Sequence, residues 1–132
     1  MVVLMKLLPL MALLAPALAG PKEVICETSD ASPSTEDTTA IINQFRGDGT
    51  DKWCTQKNNA ESYCTTCGSA GSAKLAICGE AQGGIGSGVG PTHEAIAGWI
   101  NELQQKCVSN GKVGGRYVIG GATNWEIDLS HS

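Results

Sequence analysis

The stretch Thr92-His93-Glu94-Ala95-Ile96-Ala97-Gly98-Trp99-Ile100-Asn101-Glu102-Leu103-Gln104-Gln105-Lys106-Cys107 carries the clearest periodicity in the chain. Ile96, Trp99, Ile100, Leu103 and Cys107 recur at helical spacing, while Glu94, Asn101, Gln104 and Gln105 face away. Pro91 suits a helix start, and Lys106 places a cation at the negative end of the helix dipole. Gly111 can adopt the left-handed cap, so a helix is expected over Thr92 to Asn110. One apolar stripe on such a helix needs an apolar layer to cover it.

Strands supply that layer. Ala73-Lys74-Leu75-Ala76-Ile77-Cys78 alternates well, Ser62-Tyr63-Cys64-Thr65-Thr66 does so weakly, and Gly68 and Gly71 between them suit a hairpin connection. Upstream, Glu23-Val24-Ile25-Cys26-Glu27-Thr28 is short and β-branched. A second helix is expected from about Thr35, capped by Ser32 or Ser34, with Glu36 and Asp37 in its first turn and Gly47 and Gly49 at its end. Ala40, Ile41 and Phe45 line its apolar face, with Ile42 beside it. Downstream come Arg116-Tyr117-Val118-Ile119, a Gly120-Gly121 break and Trp125-Glu126-Ile127-Asp128-Leu129. There Trp125, Ile127 and Leu129 alternate with acids, giving one buried face and one wet face. This order, βαββαβ, predicts an α+β fold: a two-layer α/β sandwich, an antiparallel sheet with two helices on one face.

Residues 1–19 have the form of a secretory signal peptide: Lys6, the apolar run Leu7 to Leu14, and the triplet Ala17-Leu18-Ala19 before Gly20. The run is shorter than the ~20 apolar residues that cross a bilayer. Cleavage leaves 113 residues, 20–132, as a single domain; loss of Lys6 from a chain of net charge −4 gives −5. An acidic chain with no Lys/Arg cluster is not built for phosphate tracks or anionic membrane. No nucleic acid partner and no stable membrane insertion are therefore expected, and the protein should be secreted and extracellular.

All six cysteines (Cys26, Cys54, Cys64, Cys67, Cys78, Cys107) lie after residue 19. An even count in a small exported chain reads as three structural disulfides, whose 15 possible connectivities the sequence leaves open. Cys64-Thr65-Thr66-Cys67 has redox spacing, but the Gly68-Ser69-Ala70-Gly71-Ser72 run that follows lacks the helix such motifs use. A zinc site would recruit Cys78 and His93 and lacks a second ligand pair, so no metal is assigned.

Other chemistry is sparse. Gly83-Gly84-Ile85-Gly86-Ser87-Gly88-Val89-Gly90 precedes a helix but fits neither a G-x-G-x-x-G register nor a P-loop, and reads as a flexible connector. His93 is expected on the surface beside that loop. A ribonuclease could be assembled on paper from His93, Glu94 and Arg116, without supporting spacing. No catalytic residue and no cofactor are assigned. Trp53, next to Cys54 in the irregular stretch 48–62, reads as a lid over the disulfide core. As binding residues, Trp53, Gly84, Gly86, Gly88 and His93 are the candidates.

Ser32-Pro33 before a helix, Gly71-Ser72-Ala73-Lys74-Leu75-Ala76-Ile77-Cys78-Gly79, the helix ending in Cys107, and Asn110-Gly111-Lys112-Val113-Gly114-Gly115 before a final strand together resemble a group of small cysteine-rich secreted proteins of filamentous fungi. These are effector-like proteins similar in fold to the killer toxins of smut fungi. The resemblance spans most of residues 22–130 in element order. It implies a disulfide-locked sandwich acting in the apoplast on a host plant, or on a competing microbe. Killer toxins of this fold act on membranes or channels, and no catalytic residue transfers; the acidic surface departs from what membrane attack favours. A virulence effector that binds a host or competitor protein or cell surface fits as well. The alternatives are a secreted protease inhibitor, presenting Asp48–Ser62 or Ala81–Gly90 to a protease, and a small secreted ribonuclease or hydrolase.

Overall fold

The computed structural model describes residues 22–58, 62–79, 90–119 and 125–132. The expected signal peptide and Gly84, Gly86 and Gly88 lie outside the described residues. The elements run β1 (Glu23–Cys26), α1 (Thr35–Asp48), β2 (Cys64–Ala70), β3 (Ala73–Cys78), α2 (His93–Cys107), β4 (Gly115–Ile119) and β5 (Trp125–His131). The protein is an α+β sandwich: a five-stranded antiparallel sheet in the order β1-β4-β5-β3-β2, with both helices packed on one face.

Ser34 caps α1 by accepting a hydrogen bond from the Asp37 N–H at 3.1 Å, and Thr92 does the same for α2 through the Ala95 N–H. The apolar stripe of α1 is Thr38, Ile41, Ile42 and Phe45; that of α2 is Ile96, Ala97, Ile100 and Leu103. These stripes meet each other and a sheet face made by Leu75, Ile77, Tyr117, Ile127 and Leu129, all essentially buried. Trp99 stacks on Tyr117 with ring centroids 5.5 Å apart, joining α2 to β4. Trp99 and Trp125 are half-buried against the core.

Several elements differ from the sequence reading in ways the contacts explain. The segment after α2 is two strands rather than one interrupted strand: β4 and β5 pair with each other from Gly115↔Leu129 to Ile119↔Trp125, so the order is βαββαββ. α2 stops at Cys107, with Val108 as an extended C-cap. Gly111 serves instead in a tight turn with Asn110, both at positive φ, where Ser109 and Lys112 exchange backbone hydrogen bonds of 2.9 and 3.0 Å. That geometry favours an Asn-Gly pair. Ala40 is exposed, and Thr38 takes its place in the core by returning its hydroxyl to the Ser34 carbonyl at 2.8 Å.

Gly68 lies inside β2 rather than in the hairpin loop, next to a bulge at Cys67, and the turn is Gly71-Ser72. A Cβ at position 68 would come within 2.9 Å of the Phe45 ring, so the absence of a side chain lets α1 approach the sheet.

The six cysteines form Cys26–Cys107, Cys54–Cys67 and Cys64–Cys78, leaving no free thiol. The first ties the β1 edge to the end of α2. The second ties the loop after α1 to β2, and the third crosses β2 and β3 on the face away from the helices. Among the described residues no helix is long and apolar enough to cross a membrane.

Candidate functional site

Trp53 is the most exposed large apolar side chain among the described residues, at 55%. It lies on a strap between α1 and β2 that is pinned at several points. Its backbone bridges Thr92, the Cys54 N–H donates to the Pro91 carbonyl at 3.0 Å, and the His93 N–H donates to the Lys52 carbonyl at 2.9 Å. Gly90 packs so closely here that a Cβ would collide with the Cys54 carbonyl oxygen. Cys54 is then locked to Cys67 of β2. The sequence suggested a lid over the disulfide core; Trp53 lines the same concavity as Cys54 and Cys67, with about half of its surface left exposed.

Gln56 completes the anchor and is invisible in sequence. Its side chain is fully buried, and every polar atom of its amide is engaged. Nε2 donates to the carbonyls of Asn58 at 2.8 Å and Gly79 at 2.6 Å, while Oε1 accepts from the Asn58 N–H and the Thr65 hydroxyl. Thr65 Oγ1 in turn accepts the Lys57 N–H at 2.8 Å. Trp53 therefore borders an open concavity of about 150 Å³, whose other polar lining is Thr55, Lys57, Thr65 and Thr66, beside the Cys54–Cys67 bridge.

His93 is buried, at 7% exposure, rather than on the surface. The Thr92 cap turns the first residue of α2 into the helix–helix interface, where its ring stacks on Phe45 at 4.0 Å. Nδ1 donates to Asp48 Oδ2 at 2.8 Å, and that hydrogen bond is the largest influence lowering the Asp48 carboxyl below its usual range. Arg116 projects from the opposite face of the sheet, where it pairs with Glu27 at 3.0 Å and Glu126 at 3.3 Å. The structure does not bring His93 and Arg116 together. The Cys64-x-x-Cys67 pair is likewise divided between two bridges, so it has no dithiol to cycle.

The outer sheet face holds one more ionisable cluster. Asp128, expected on a wet face, is half-buried, and its Oδ1 has no hydrogen-bond partner among the described residues. Burial first, then the hydrogen bond and like charge of Glu126, push its carboxyl up to about 8 against the partial offset of Arg116. Cys64, Cys78 and Asp128 place ligand-type atoms within 4.8 Å of one another. The two sulfurs are bonded to each other, so they offer a metal no thiolate.

Three disulfides in so small a chain fit an extracellular setting. Comparison with protein families finds no matching family model, and comparison with curated proteins finds no relative.

Proposed function

We propose that the chain is a secreted, non-enzymatic binding protein of the effector or killer-toxin-like kind, acting outside the cell on a host plant or a competing microbe. The observation that carries this reading is Trp53: a large apolar ring left in solvent on a strap held by a disulfide, a buried glutamine and backbone bridges to the start of α2. A half-exposed aromatic on a preordered segment loses little entropy when covered, which is what a binding surface requires. The disulfides support it further, because a fold closed by three bridges survives outside the cell.

Expression of the full chain in a secreting host tests the reading. Protein recovered from the medium, infiltrated into leaves, is expected to cause electrolyte leakage that a reduced and alkylated control does not. If leaves stay intact, labelled protein retained on plant or microbial cells gives the quiet form of the same role. Hydrolysis of RNA, glycan or peptide substrates at enzyme-like rates would overturn it.

A further inference from the structure

The groups around Trp53 say what kind of ligand the concavity suits. Among the described residues, the Thr55 and Thr66 hydroxyls, the Lys57 ammonium and the Trp53 indole N–H make no intramolecular hydrogen bond. Thr65 is different, since its hydroxyl already donates to Gln56 and accepts from Lys57. The site thus offers an aromatic surface together with donors that have no partner among the described residues.

A matching ligand has an apolar face and a rim of oxygens in the plane of that face. A pyranose has this shape: its C–H bonds form an apolar face, and its equatorial hydroxyls point outward. A nucleotide base would also stack, but its phosphates would meet a single lysine on an acidic chain. An extended peptide would need a free sheet edge. Alongside β2 the strap is tied to the edge strand by Cys54–Cys67 and by a bond from the Lys57 N–H to the Thr65 hydroxyl, and an added peptide strand would have to pass these side-chain ties.

We infer that the Trp53 concavity is a subsite for one pyranose ring of a neutral cell-surface polysaccharide, stacked on the indole and held by the Thr55, Thr66 and Lys57 donors. This rests on the proposed binding role and names its ligand. The pinned strap presents the ring in place, so the ligand need not order it.

The test uses the full-chain protein secreted with its disulfides intact. It is titrated with cellohexaose, xylohexaose, mannohexaose and the hexamer of N-acetylglucosamine, followed by tryptophan fluorescence and acrylamide quenching. At least one hexasaccharide should saturate the signal and shield a tryptophan from quencher. Trp53→Ala should weaken that binding at least about ten-fold with unchanged thermal unfolding, and Trp53→Phe should retain part of it. Thr66→Ala should weaken it several-fold. Failure of every hexasaccharide to bind, or equal binding by Trp53→Ala, overturns the inference.

A parallel arm measures retention on intact cells. Retention that needs Trp53 but resists polysaccharide hydrolases and disappears after protease treatment of the cells overturns the sugar ligand while leaving the binding role. Absence of both sugar binding and cell retention overturns the two together.

Discussion

Asp128 and the pair Asp37 and Asp48 pull stability in opposite directions with pH. Asp128 holds its proton in the folded protein up to about 8, whereas an unfolded chain releases it near the ordinary carboxylate value of 3.8. Its stabilising contribution is therefore complete in acid and is lost as pH rises through about 8. Asp37, which accepts the Ser72 N–H and hydroxyl at 2.7 Å each, and Asp48 are both held below their usual range, so their contribution is lost as pH falls below 3.8. Urea unfolding should thus show higher stability at pH 5 than at pH 8.5, and Asp128→Asn should flatten that difference. Equal stability at both values in the wild type would contradict the assignment. Gln56 gives a second test. Gln56→Ala removes four hydrogen bonds from a buried site and should cost about 2–3 kcal/mol, read as a lower urea midpoint. Neither residue announces itself in the sequence. Asp128 sits in a strand that alternates as a half-wet strand should, and Gln56 lies in a polar stretch whose carbonyl partner at Gly79 is 23 residues away. His93 was misread for the same reason: Phe45 and Asp48, which bury it, belong to the other helix.

At the scale of elements, the apolar stripes of both helices and the alternation in β3 and β5 were legible because each is a local pattern with one buried face. Boundaries were less so. The Gly120-Gly121 break reads as an interruption within one strand, and only the pairing of Tyr117 with Ile127 shows that β4 and β5 are neighbours. Gly68 looks like a turn residue until the Phe45 ring is placed against it. Disulfide connectivity could not be read at all, since it depends on which elements adjoin. The bridges should differ in weight. Cys26–Cys107 closes 81 residues and Cys54–Cys67 closes 13, so loop entropy assigns the first about 4–5 kcal/mol and the second about 3. Paired Cys→Ser variants should follow that order in urea unfolding. A reversed order would mean that the strap around Trp53, and not the β1 to α2 tie, dominates the fold's stability.

For the whole molecule, the sheet divides the protein into a helical side that makes the core and an outer side that carries Arg116, Glu126 and Asp128. Trp53 stands at neither, but at the β2 edge, where the sheet ends and the strap passes. Its exposure was not legible, because an aromatic beside a cysteine in a small disulfide-rich chain ordinarily packs on the bridge. An exposed, anchored ring on an acidic, disulfide-closed sandwich is the feature on which the proposed binding role depends. The most direct measurement is retention of labelled full-chain secreted protein on intact plant and microbial cells, wild type against Trp53→Ala, at matched thermal stability. The account predicts that the wild type is retained on at least one cell type and that the substitution reduces retention about ten-fold or more. Retention that is equal for the two proteins would contradict it.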